Sequence, residues 1–199
     1  MASEMALKSI ERKTYLTFFE DGIADIVAGL PILLFGLGMT TDESMFFIFA
    51  WMPLLLFWPL KQRITYPRIG YVKFSPERQK KISKGFVLLL IAGTLSLLMG
   101  IVVFMGFEGL IFDLQGFMRE YSLLVFGAVL AGAYILIAIL FEAKRFYIYG
   151  FFVFSGWLTG YLFDVNPGIP VAMSGAMIAI IGIGLLLRFL AKYPLPAEG

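Results

Sequence analysis

Residues Ile64–Lys81 read ITYPRIGYVKFSPERQKK, a polar stretch set between long apolar runs. Extended to 61–84, the stretch holds Lys61, Arg63, Arg68, Lys73, Arg78, Lys80, Lys81 and Lys84, eight of the sixteen basic residues of the chain. Its surroundings explain why the charge gathers there. The 199 residues are 60% hydrophobic and 15% charged, against about 45–50% and about 25% in a soluble domain. A soluble fold of this length has no interior large enough for that much Phe, Leu and Ile, so lipid is the expected solvent.

Six apolar runs are long enough for helices that cross the hydrocarbon, which takes roughly 20 residues each. They lie at about 22–40, 45–60, 85–107, 121–141, 146–163 and 168–190. The runs are continuous and do not alternate, which argues against a barrel, and an open sheet leaves backbone polar groups unsatisfied in lipid. The expected fold is an all-α membrane bundle of six helices arranged as three hairpins over 20–192. Segment 1–19 forms a cytoplasmic or interfacial start, 61–84 a basic cytoplasmic loop, and 193–199 a tail. No charged-then-apolar leader with a cleavage site is evident, so the first span is expected to serve as its own insertion signal. Asn166-Pro167 reads as the cap and first residue of the last helix.

Sorting Lys and Arg by loop gives the orientation. With six spans, fifteen of the sixteen fall on one face, and only Arg119 falls on the other. Positive loops stay in the cytoplasm, so both termini are expected inside, in a prokaryotic cytoplasmic membrane. Charge sorting alone accounts for the basic loop. A second reading makes it a site for anionic headgroups or a partner protein, with Arg63, Arg68, Lys73, Arg78, Lys80 and Lys81 as cations and Tyr66 and Tyr71 as interfacial anchors. Pro67 is expected to hold Tyr66 extended, and Ser75-Pro76-Glu77 to open the third helix.

The decapeptide TYPRIGYVKF (65–74) resembles a loop of uncharacterised prokaryotic polytopic membrane proteins. The resemblance implies a multi-pass fold, no activity and no functional residue.

Candidate chemistry is sparse. The chain has no Cys and no His, which excludes disulfides, thiol nucleophiles and metal sites built on those ligands. No cofactor, metal or nucleic-acid partner is indicated. Asp21 and Asp25 share a face at i, i+4 where helix 1 enters the membrane, and are the candidates for binding a substrate or ion. Two structural readings compete, dipole stabilisation and an ion pair with a loop cation, for which Lys84 or Lys144 is the expected partner of Asp25. Pro31 and Pro53 are expected to break or bend helices 1 and 2. Gly156 with Gly160, Ala128 with Gly132, and Gly175 with Ala179 form small-x-x-x-small pairs for close packing within the chain or in a homo-oligomer. Leu110, Leu114, Phe117 and Met118 suggest a short surface helix before span 4.

Three functions stay open. A non-catalytic scaffold or accessory subunit would touch anionic lipid or a partner through 61–84. A small permease or channel-like protein would use Asp25 and the bent helices. A membrane enzyme has the least support, since no paired carboxylates, nucleophile elbow or phosphate loop is found.

Overall fold

The computed structural model describes residues 18–69, 83, 87 and 112–195. Among these residues the secondary structure is helical with no strand, and five helical stretches are long and apolar enough to cross a membrane. In chain order they are α1 (Ile23–Thr41); a composite stretch of α2 (Ser44–Phe49), α3 (Met52–Leu60), a π-helical turn (Lys61–Thr65) and α4 (Tyr66–Ile69); α5 (Phe112–Phe141); α6 (Arg145–Phe163); and α7 (Gly168–Lys192). The run expected to cross at 85–107 lies, Val87 apart, outside the described residues. The described part forms two compact units, one of residues 18–69 and 171–195, the other of residues 83, 87 and 112–170.

In the first unit, α1 runs antiparallel to α7 at backbone contact. A Cβ added to Gly29 would lie 2.5 Å from the Ala179 nitrogen, and one on Gly175 2.8 Å from the Ile32 carbonyl carbon. One on Gly182 would lie 2.6 Å from the Ile26 nitrogen. Contacts that move up α1 while moving down α7 define the antiparallel sense. Such packing works in lipid because small residues let two backbones and their dispersion surfaces meet, with no hydrophobic drive between helices. Gly22 is doubly constrained: its φ is +78°, and an added Cβ would overlap the Gly182 carbonyl.

Asp42 ends α1 in the left-handed conformation, φ 56°, and the chain turns directly into α2. There the Phe47 ring lies against Gly38 and meets Phe35 edge-on at 5.0 Å. The two helix-break prolines differ. Pro53 stands at the start of α3, just after the interruption at Ala50–Trp51, whereas Pro31 is carried inside a continuous α1.

The second unit holds the α5–α6 hairpin. Glu142 takes the left-handed conformation, φ 55°, and the Ala143 N–H reaches back to the Ala138 carbonyl, closing the helix end in the Schellman manner. Trp157 fills the space over Gly127, where an added Cβ would come within 2.6 Å of Trp157 Cβ. Beyond α6, Asp164 is again left-handed, Pro167 seats on Gly160, and the Asn166 side chain accepts the Gly168 N–H at 2.8 Å. The Asn166 cap is as read from the sequence.

Three expectations are corrected. The basic loop does not begin at Lys61: the helical path continues to Ile69, and Tyr66 has helical torsions, φ −59°, ψ −42°. Pro67 is tolerated because the preceding turn is wide, with the Tyr66 N–H bonding five residues back to the Lys61 carbonyl, which relaxes the crowding a proline ring makes with the carbonyl four residues earlier. Ala128 and Gly132 are exposed, and nothing lies within 4 Å of a Cβ added to Gly132. The packed face of α5 is one residue out of register, at Gly127, Ala131, Tyr134 and Ala138, because a spacing of four does not say which face meets the neighbour. Finally, residues 112–120 are continuous with the apolar run at 121–141 in one helix, and are not a separate surface helix. Of the other small pairs, Gly156, Gly160, Gly175 and Ala179 are all buried.

This packing predicts a contrast. Gly175→Val should lower stability by about 1–3 kcal/mol through overpacking, whereas Gly132→Ala should stay within about 0.5 kcal/mol of the parent. Thermal unfolding in one detergent reads both; equal losses at the two positions would contradict the assigned faces.

Candidate functional site

The described polar chemistry concentrates where α1 begins. Phe18 and Phe19 are helical, residues 20–22 turn, and α1 starts at Ile23. Gly22 supplies the positive φ that this sharp turn needs. The Asp21 side chain folds over the turn, and its Oδ1 accepts the Ile23 N–H at 3.1 Å. That bond satisfies one of the orphan donors of the new helix and places a negative charge at the positive end of its dipole.

The other carboxylate oxygen faces the composite stretch. Lys61 Nζ donates to Asp21 Oδ2 at 2.6 Å and also to the Phe18 carbonyl, while the Thr65 hydroxyl donates to Asp21 Oδ2. Lys61 and Thr65 are the first and last residues of the π-turn. The ammonium lies 4.1 Å from the Phe18 ring centroid, 5.4 Å from Phe19 and 5.6 Å from Phe57, so aromatic faces solvate the charge that water does not reach. Asp21, Lys61 and Thr65 are each 0% exposed. Around the cluster, the Tyr66 ring meets Phe18 at 5.8 Å and Trp58 at 6.2 Å.

Asp25 is also fully buried. Its Cβ faces α7 at Gly182, where an added Cβ would lie 2.9 Å away. The carboxylate therefore stands on a protein-facing side of α1, where only a glycine on α7 leaves it room. Of the two cations expected to pair with it, Lys144 is exposed, and Lys84 lies outside the described residues.

Of the lipid or partner candidates, Arg63 is exposed on the π-turn, and Arg68 is half-buried with a guanidinium N–H donating to the Ile64 carbonyl at 2.9 Å. Tyr66 packs as described above. Tyr71, Lys73, Arg78, Lys80 and Lys81 lie outside the described residues. Sequence reasoning missed Lys61 and Thr65. It treated Lys61 as one more flanking charge, although its position at the end of WPL, on the same end of the hairpin as Asp21, was a usable signal. Among the described residues no group of three or more His, Cys, Asp or Glu gathers as a metal site.

No family model, curated protein or solved structure matches the chain.

Breaking a buried pair leaves an uncompensated charge and typically costs about 3–5 kcal/mol, whereas removing both charges costs far less. Lys61→Met should therefore lose about that amount, and adding Asp21→Asn should recover much of it. The double-mutant cycle in thermal unfolding should be strongly non-additive; additive losses would mean that the pair does not act as a unit.

Proposed function

We propose that this chain is a six-span protein of a prokaryotic cytoplasmic membrane with both termini inside. In this reading it acts as a non-catalytic scaffold or accessory subunit that meets anionic lipid, or a partner, through residues 61–84. The observation that carries the scaffold reading is the satisfied state of Asp21. The acid placed best to receive a solute at the mouth of helix 1 is held by Lys61, Thr65 and the Ile23 N–H. A permease using Asp25 draws less support, since α1 and α7 are in backbone contact at that level and leave no space between them for a solute.

The antiparallel α1–α7 contact supports the span count. Two antiparallel membrane helices of one chain enclose an even number of crossings, counted inclusively. The described residues supply five candidates, and the apolar run 85–107 is the segment with the composition and length for the sixth. Fifteen-to-one charge sorting then supports the inward termini.

Since the chain has no Cys, orientation is tested directly. Single cysteines at the exposed positions Thr41 and Asn166 should react in intact cells with an impermeant maleimide, and one at Ser75 should not. Labelling at Ser75 would refute the topology. For the surface, protein purified from mixed-lipid vesicles should retain acidic over neutral lipid by native mass spectrometry. Neutralising Arg78, Lys80 and Lys81 should weaken that preference by about 1 kcal/mol per residue at low salt. A specific solute flux in vesicles that Asp25→Asn abolishes without unfolding would favour the permease instead.

A further inference from the structure

The α5–α6 hairpin gathers a second group of side chains at the end opposite its turn. Phe117, Glu120 and Tyr121 stand at i, i+3 and i+4 of α5, which puts them on one helical face. The Phe117 and Tyr121 ring centroids lie 5.1 Å apart, and Tyr161 of α6 continues the series 6.3 Å beyond Tyr121. The Tyr121 hydroxyl donates to the Glu120 carboxylate, so the negative charge is held at the rim of the rings. Phe117 and Glu120 are exposed, and the two tyrosines are half-buried.

Depth and charge limit what fits there. Tyr121 opens the apolar run at 121–141, and Tyr161 lies two residues before the end of α6 at Phe163. The rings therefore stand at headgroup level. Leu162 and Phe163, next in the chain, are exposed and apolar, a surface that suits lipid better than water. With six spans, the loops on this side of the membrane, 41–44, 108–120 and 164–167, hold six acidic residues against a single basic one, Arg119. Position 119 is two residues from Phe117 and two from Tyr121, on the opposite side of α5. The other fifteen basic residues fall across the membrane, so a second copy in the same orientation brings no further cation. Ring faces attract ammonium groups, and a carboxylate takes a charge-assisted hydrogen bond from an ammonium that carries N–H.

We propose that Phe117, Glu120, Tyr121 and Tyr161 bind a lipid headgroup bearing a primary ammonium, in the outer leaflet. The ammonium donates to Glu120 and lies against the rings. A quaternary ammonium has no N–H to give Glu120, so choline headgroups bind less well. The site goes beyond the scaffold reading and takes only its leaflet from the inward termini.

The test couples Glu120 to its lipid in the full-length protein. A water-soluble carbodiimide joins carboxylates to primary amines as amides. In nanodiscs of phosphatidylcholine with phosphatidylethanolamine, peptide mass spectrometry after mild deacylation reads each acid's lipid adduct. Glu120 should couple at least about fivefold more than the exposed reference acids Asp42 and Glu43. Phe117→Leu, at an exposed position, should lower the Glu120 yield about threefold and leave Asp42 and Glu43 unchanged; Tyr161→Leu should act in the same way. Free ethanolamine, added to discs of phosphatidylcholine alone, should label the three acids about equally.

Equal coupling of lipid to Glu120 and to the reference acids would overturn the site, and so would a Phe117→Leu protein that couples as well as the parent. The same preference with free ethanolamine would replace the lipid with a soluble amine. Coupling of Glu120 to a lysine peptide in place of lipid would replace it with a partner protein. Discs expose both leaflets, so none of these results depends on which end of the chain is outside. A reversed topology, read from the Ser75 cysteine, would overturn the leaflet alone.

Discussion

Taking an ammonium and a carboxylate out of water together costs several kcal/mol per ion, and their mutual attraction repays this only with good geometry and further hydrogen bonds. The Lys61–Asp21 pair meets that condition. Each charge has partners besides the other: Thr65 and the Ile23 N–H for the carboxylate, the Phe18 carbonyl and aromatic rings for the ammonium. The arrangement fixes several things at once. It sets the turn from Phe18 to Ile23, the starting point of α1, and the rotational setting of the stretch that carries Lys61. A shift of either helix by one residue would carry one charge away from its partner and leave the other buried alone. That cost gives the hairpin a register which apolar packing in lipid does not supply.

From this corner α1 proceeds along α7, and there the constraint changes from charge to volume. Gly22, Gly29, Gly175 and Gly182 let the two backbones touch, and Asp25 lies in the same interface opposite Gly182. The ion pair and the glycine contact meet at Gly22, whose neighbour Asp21 holds the pair while its own α-carbon lies against α7. Rigidity in this unit therefore comes from two independent sources that converge on three consecutive residues, Asp21 to Ile23.

Much of the architecture was legible because lipid imposes a simple rule: long apolar runs must be helices. The hairpin turns and the Asn166 cap were readable for a similar reason, being local chemistry. What escaped was everything that depends on which face meets which. Ala128 and Gly132 have the right spacing but lie off the face of α5 that meets α6, and in a uniformly apolar helix no polar stripe marks the outside. Lys61 escaped because a basic residue after an apolar run is ordinarily a flank left in water. Only its distance to Asp21, forty positions back in the chain, changes its meaning. Tyr66 was expected to be extended because the rule for a residue before proline assumes ordinary helical turns. A π-turn opens the helix where the rule would have ended it.

The π-turn thus links the legible and the hidden parts. Pro67 disfavours α geometry at Tyr66, and a helix approaching such a residue either stops or widens. Stopping at Leu60 would have turned Lys61 and Thr65 into loop residues in water and left Asp21 to the Ile23 N–H alone. Widening keeps both side chains on one face and within reach of a single carboxylate oxygen. The proline that reads as a loop signal in the sequence is then part of what holds a lysine inside the protein. Through that lysine the composite stretch is tied to the entry of the first helix.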